Sequence, residues 1–273
     1  MKKISIIICF VFLLTISACQ SEQITYQMNP PKKEIELNNV KSLNEDSNNE
    51  DASSEGDQPQ DTGKVVYLTF DDGPTSVTKN ILDTLKQFNA KATFFMLEPE
   101  MREFPDIVRK MVEDGHAVGM HGVTHDKDQF YASEQTALEE MIKAQETLQD
   151  ITGVDSKLIR TPYGSIPYLT ESYREALTSK GFQLWDWNVD SSDWSLSGDQ
   201  YVDSVMNQIE NLASEGVTSI VLMHDQAETA NHLSTLLTYL SENGFQTKKI
   251  NDNTEPYNFN CYDRCHSLNS IQN

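Results

Sequence analysis

From Gly63 onward the chain alternates short apolar runs with stretches of helical period. Runs at residues 65–70, 92–97, 117–121, 158–163, 182–188 and 220–224, with a weaker one at 245–250, carry β-branched and aromatic side chains and are too short for helices, which predicts buried strands. Between them, residues 77–88, 105–114, 134–152, 170–180, 200–213 and 232–243 show the three-to-four spacing of amphipathic helices, and Gly115, Gly153, Gly181 and Gly244 stand near their C-terminal ends. Seven strands alternating with six helices predict a parallel, barrel-like α/β fold. No internal repeat is visible.

The first sixty residues follow another pattern. Lys2 and Lys3 precede an apolar stretch over residues 4–16, too short for a spanning helix and typical of an export signal. Ile16-Ser17-Ala18-Cys19 resembles a bacterial lipoprotein processing site, in which cleavage precedes the cysteine and Cys19 carries lipid; an ordinary signal peptidase site and an uncleaved anchor are the alternatives. Residues 20–62 are rich in Asn, Ser, Glu, Asp and Gln, a composition that cannot bury enough apolar surface to offset its ordering entropy. The division expected is thus a signal peptide at 1–18, a lipidated Cys19 with an acidic tether at 19–62, a catalytic domain at 63–250 and a polar tail at 251–273. It places the protein on the extracellular face of the cell membrane, held through lipid on Cys19. In the tail, Cys261, Cys265 and His266 are open to three readings: a disulfide, a metal clip or free thiols.

Charge narrows the partners. The formal net charge is -21 and no basic patch stands out, which excludes nucleic acid, because phosphates must be neutralised by Lys and Arg. A neutral or cationic polymer fits better, and a monomer is expected.

The reactive side chains cluster at the C-terminal ends of predicted strands, where α/β folds place their chemistry. Asp71 and Asp72 follow the first, His121 and His125 the third, Arg160 and Tyr163 lie on the fourth, Asp190, Asp193 and Trp194 follow the fifth, and His224 ends the sixth. Adjacent strand residues point to opposite faces, so Asp71 and Asp72 serve one site only if the strand bends where Gly73 permits; one carboxylate then serves a metal and the other a proton. His121 and His125, four apart, would face one ion from a single helical turn. Two His and one Asp make a hydrolytic metal centre with open positions. A buried Arg160 either caps carboxylates structurally or orients Asp71. Pro162 and Gly164 shape a turn that can present the Tyr163 amide to an oxyanion. Trp185, Trp187 and Trp194 are core packing or platforms for sugar rings. His224, paired with a carboxylate from the 190–193 loop, is a candidate general acid.

The ordered set Thr69-Phe70-Asp71-Asp72-Gly73-Pro74, His121-x-x-x-His125, Arg160-x-Pro162-Tyr163-Gly164, Asp190-x-x-Asp193-Trp194 and Leu222-x-His224 resembles the polysaccharide deacetylase family, carbohydrate esterase family 4, with its NodB-type domain. The resemblance implies a distorted (β/α) barrel of about seven parallel strands that removes acetyl groups from N-acetylated sugars with one divalent metal, usually zinc, cobalt or another divalent ion being alternatives. It implies Asp72, His121 and His125 as metal ligands and Asp71 as the base that takes a proton from the attacking water. Arg160 would orient Asp71, the Tyr163 amide would stabilise the oxyanion, Asp193 would tune His224, and His224 would protonate the departing amine. Trp194 and Leu222 would line the acetyl pocket. The family's second motif usually has Ser or Thr after its first His; Gly122 stands there instead, and a looser ligand loop is expected.

A lipid anchor and tether favour the cell's own wall as substrate, so the activity expected is removal of acetate from N-acetylglucosamine of peptidoglycan. N-acetylmuramic acid, chitin oligosaccharides and an O-acetylated glycan such as xylan are the rivals. A catalytically impaired wall-binding lipoprotein is the reading outside enzymology. Glycosidase action suits adjacent carboxylates poorly and leaves the histidines without a role.

Overall fold

The computed structural model describes residues 64–268; the export signal, Cys19 and the tether lie outside the described residues. Among these residues eight strands and eight helices follow in the order β1 Val65–Asp71, α1 Thr78–Gln87, β2 Thr93–Met96, α2 Glu98–Glu103, α3 Pro105–Glu113, β3 Ala117–Met120, α4 Lys127–Phe130, α5 Glu134–Thr152, β4 Leu158–Ile159, α6 Glu171–Thr178, β5 Gln183–Leu184, β6 Val189–Asp190, α7 Gly198–Ser214, β7 Ser219–His224, α8 Ala227–Glu242 and β8 Gln246–Lys248.

Seven strands form one hydrogen-bonded path in the order β5-β4-β3-β2-β1-β7-β6, with β8 joined to β1, and every pairing is parallel. The sheet has to curl. Strands β5 and β6 end the path on opposite sides, and in a flat sheet six spacings of about 4.8 Å would separate them by roughly 29 Å. Only residues 185–188 connect them, and five extended steps reach about 17 Å at most. The result is an incomplete barrel, as the resemblance implied.

The pleat sorts side chains into two layers. Val66, Leu68 and Phe70 of β1 join Phe94, Met96, Val118, Met120, Val221 and Met223 in the large core under the helices. Val65 and Tyr67, of the other parity, join Phe95, Leu158, Trp185, Ile220 and Ile250 in a smaller cluster inside the barrel. Carried upward, that inner parity delivers Thr69 and Asp71 of β1, Arg160 after β4, and Leu222 and His224 of β7.

The expected elements are present with shifted bounds. Helix α8 starts at Ala227, one turn before the apolar period begins, because the buried Thr229 anchors its polar first turn. Helices α2 and α4 were not anticipated: both are short, α2 opens on Pro99 within its first turn, and α4 rests on an Asp126 cap that accepts from the Gln129 amide at 2.9 Å. The run at 182–188 contributes β5 and then bridges the gap between the two end strands to β6, the Trp185 amide donating to the Ile159 carbonyl and the Asn188 amide to that of Ile220.

The tail is bonded to the barrel. The Asp186 amide donates to the Tyr257 carbonyl and the His266 amide to that of Pro167, the Phe259 amide donates to Asp186 Oδ2 at 2.8 Å, and the Phe259 ring meets Trp187 edge-on at 5.0 Å. Cys261 and Cys265 form a disulfide, which consumes the thiols that a metal clip would need.

Candidate active site

The end of β1 separates the two carboxylates by conformation. Asp71 keeps the inward parity of its strand, whereas Asp72 adopts a left-handed backbone (φ 73°), so the chain turns at Asp72 itself rather than first at Gly73. That rotation brings a residue due to point outward back over the barrel mouth. Gly73 serves a different need: a Cβ there would collide with the Asp225 carboxylate. Asp225 in turn accepts from Thr75 and Thr78 hydroxyls at 3.0 and 2.6 Å, and burial pushes its pKa up.

Below Asp71 lies Arg160, wholly excluded from solvent. Its Nη1 donates to Asp71 Oδ1 at 2.9 Å and to Thr69 Oγ1 at 2.6 Å, while Nε and Nη2 donate to the carbonyls of Trp185 and Asp186, both at 3.1 Å. The guanidinium carbon stands 4.4 Å from the Phe95 ring centre. A cation so buried is tolerable only when its donors are met and a counter-charge is adjacent. Both conditions hold, and Asp71 is thereby fixed in direction.

Asp72, His121 and His125 converge. One ligand atom from each lies within 4.8 Å of the others, with Asp72 Oδ1 at 3.4 Å from His121 Nε2 and 3.3 Å from His125 Nε2. Asp72 Oδ1 is buried without a hydrogen-bond partner. The set fits a divalent cation: three lone pairs meet where one carboxylate oxygen lacks a donor, and Asp/His is an accepted donor chemistry for zinc. His121 Nδ1 is 2.7 Å from the Arg160 carbonyl, a bond that puts the proton on Nδ1 and leaves Nε2 free as a ligand. For His125, burial first and then neighbouring His121 push the pKa down, against Asp72 and Asp71, which favours the neutral ring that a metal ligand needs.

The two histidines do not share a helical turn. Residues 121–126 form an irregular loop in which Gly122 (φ 92°) and His125 (φ 44°) are left-handed. The Tyr163 hydroxyl donates to the His125 carbonyl at 2.8 Å. The loop that a missing hydroxyl was expected to loosen is held from α5: Glu140 Oε2 accepts from the Val123 and Thr124 amides at 2.8 and 3.0 Å, and Oε1 from the Thr124 hydroxyl at 2.7 Å.

Opposite this cluster, His224 Nδ1 is 2.7 Å from Asp193 Oδ1, and the His224 amide donates to Asp193 Oδ2 at 2.8 Å. Thr229 also donates its hydroxyl to Asp193. Burial works against the His224 imidazolium, but the hydrogen bond and charge of Asp193, with Asp71 and Asp72 behind it, overcome that and push the pKa up to about 9. Burial likewise raises Asp193, and the bonds from His224 and Thr229 outweigh it and bring its pKa down. Asp190 is no partner to His224: it accepts from the Ser192 amide and shapes the loop.

The tryptophans divide. Trp185 is core and wholly buried, Trp187 packs against Phe259 and near Arg160, and Trp194 is 69% exposed. Leu222 lies inside the barrel as ladder partner of Thr69 and Asp190. Tyr163 is left-handed (φ 66°) and half exposed. Sequence reasoning missed Thr69, whose shared parity with Asp71 was a usable signal, and also Thr229, Asp186, Asp225 and Glu140, which nothing local distinguishes.

Comparison with known proteins agrees with this geometry. The polysaccharide deacetylase family profile matches residues 58–185, ending before Asp193 and His224. The chain is 47% identical over 195 residues to YheN of Bacillus subtilis, covering 71% of this chain and 69% of that protein. It is 38% identical over 201 residues to a Bacillus cereus peptidoglycan-N-acetylglucosamine deacetylase, covering 72% and 73%. The crystal structure of the Bacillus cereus polysaccharide deacetylase Bc1974 superposes with a TM-score of 0.63 at 38% identity, covering 71% of this chain and 96% of that one. With a half-barrel of matching architecture and relatives of this identity over most of its described length, the chain belongs to the polysaccharide deacetylase family, carbohydrate esterase family 4.

Proposed function

We propose that this protein is a divalent-metal-dependent deacetylase that hydrolyses the N-acetyl groups of peptidoglycan N-acetylglucosamine, releasing acetate. The observation that carries the reading is the pairing of a carboxylate held by a buried Arg with a histidine held by a buried Asp, Asp71–Arg160 at 2.9 Å and His224–Asp193 at 2.7 Å, beside a three-donor cluster. The substrate rests on the named activity of the Bacillus cereus relative.

In this reading Asp72, His121 and His125 hold the ion. Zinc is the first choice for such donors, and when bound it supplies Lewis-acid polarisation and lowers the pKa of water. Asp71, aimed by Arg160, takes the proton from the attacking water. Developing negative charge on the acetyl oxygen is met by the Tyr163 amide. As the carbon–nitrogen bond breaks, His224 gives a proton from Nε2 to the amine, because an amide nitrogen leaves only when protonated. Asp193 holds Nδ1 and supports the imidazolium. Leu222 and Trp194 bound the space for the acetyl methyl. The leader supports an anchor and a placement: lipidated at Cys19, the protein acts from the extracellular face of the membrane on its own wall, as a monomer.

Acetate release from purified peptidoglycan, chitin oligosaccharides and acetylxylan, each with and without a chelator, tests the reading. Chelator-sensitive release that is fastest from peptidoglycan is expected. Faster release from chitin or xylan would overturn the substrate, and chelator-resistant release the metal.

A further inference from the structure

We propose that Glu140 is a positioning residue for the metal centre: its carboxylate clasps the loop between His121 and His125 and sets the placement of the His125 ring. The proposal rests on the reading that Asp72, His121 and His125 hold a metal.

Outside Glu140 the loop backbone is held at its two ends, where the Gly122 carbonyl accepts from the Glu98 amide at 3.0 Å and the His125 carbonyl from the Tyr163 hydroxyl at 2.8 Å, which leaves Val123 and Thr124 to the clasp. The loop contains no helix or strand hydrogen bonds between His121 and Asp126, yet it must hold His125 in a left-handed conformation that a non-glycine residue adopts at a cost of about 1–3 kcal/mol. Strain of that kind persists only where neighbours over-determine the backbone. Glu140 does so from within the 19-residue helix α5, the longest element described. One of its oxygens takes two successive amides, Val123 and Thr124, and the other takes the Thr124 hydroxyl. Three bonds to one carboxylate group fix both the position and the rotation of the two residues that precede His125.

Gly122 is the complement of this clasp. A Cβ at Gly122 would stand 3.1 Å from Glu140 Oε2 and 3.3 Å from the Phe130 ring, on a backbone at φ 92°. The absent side chain is therefore the space through which the carboxylate reaches the loop. On the far side, the Tyr163 ring lies tilted against the His125 ring at 4.8 Å and its hydroxyl bonds the His125 carbonyl, so the loop is held from α5 and from the turn after β4. Such supporting partners typically change metal affinity by about 10- to 100-fold when removed.

The test measures Zn2+ affinity of the metal-free protein by chelator competition, together with the metal-free melting temperature, for wild type, Glu140→Ala, Glu140→Gln, Glu139→Ala and Thr124→Val. Glutamine can present its carbonyl to both amides and its NH2 to the Thr124 oxygen, so Glu140→Gln should stay within about threefold of wild type while Glu140→Ala weakens binding by about tenfold or more. Glu139→Ala removes the same charge from the same helix outside the clasp and should leave affinity unchanged. Thr124→Val, an exposed position, should weaken binding about threefold and serves if Glu140→Ala does not fold. In turnover, the Zn2+ concentration for half-maximal activity should rise in Glu140→Ala with kcat at saturation largely kept. Unchanged affinity in Glu140→Ala or, failing that, in Thr124→Val overturns the proposal, as does an equal loss in Glu139→Ala. A wild type that binds no Zn2+ overturns the metal reading itself.

Discussion

Asp71 and His224 are ladder partners: β1 and β7 run parallel with these two residues in register, and the amide after His224 donates to the Asp71 carbonyl at 2.9 Å. Both belong to the inward parity of their strands. The proposed proton acceptor and the proposed proton donor thus stand on neighbouring strands at one level of the barrel mouth, separated by a single strand spacing of about 4.8 Å between backbones. The groups that hold them differ in sign, the Arg160 cation for Asp71 and the Asp193 carboxylate for His224.

Asp71→Asn keeps an oxygen for Arg160 but cannot take a proton. Turnover should fall by about 10²- to 10⁴-fold with metal content and fold retained, read from acetate release beside metal analysis and circular dichroism. Arg160→Met should lower turnover as well, by releasing Asp71, and should also cost about 3–5 kcal/mol of stability, because it leaves a buried carboxylate unpaired; acetate release and denaturant melts measure the two.

The basic limb of kcat/KM should report His224. Its value near 9 in the folded protein lies above the ordinary imidazole value, so activity should fall as the pH rises through it. A bound divalent cation offsets the contributions of Asp71 and Asp72, which moves the limb of the loaded enzyme below 9. Asp193→Asn should move it further down, since the neutral amide no longer supports the imidazolium. For stability the sign is the same: the His224–Asp193 contribution is full below the unfolded value of about 6.5 and is lost as pH rises toward the folded one. A limb unmoved in Asp193→Asn would mean another group is the acid.

Removing either His121 or His125 should abolish both metal binding and turnover, and Gly122→Ser should weaken both rather than improve them. The serine would need φ 92° and would press on Glu140 and Phe130, a cost of about 1–3 kcal/mol. Metal titration and melting temperature distinguish this from a neutral change.

Truncation after Ile250 should lower the melting temperature, because it removes the Phe259 amide from the buried Asp186 and the ring that backs Trp187. Opening the Cys261–Cys265 disulfide should cost less, about 2 kcal/mol for so short a loop. Thermal melts of the two variants give the order.

Cys19→Ala should release the protein from the membrane fraction and abolish lipid labelling. Continued sedimentation with membranes would indicate an uncleaved anchor.

The amino-acid sequence by itself determined the parallel α/β character, because apolar runs alternate with 3.6-residue periods, and it placed Asp71, Asp72, His121, His125, Arg160, Asp193 and His224 at strand ends, because chemistry-bearing residues interrupt apolar runs where strands stop. Local pattern could carry that much. What only the tertiary structure decided depends on the curl of the sheet and on backbone dihedrals. The left-handed turn at Asp72 let two adjacent carboxylates face one mouth, and a loop rather than a helical turn joined His121 to His125. Glu140, Thr229 and Asp186 look like ordinary polar residues in sequence, and their roles arise from contacts 16 to 73 positions away along the chain. Such contacts are set by which strands the barrel brings together, a long-range consequence of packing that no local periodicity encodes.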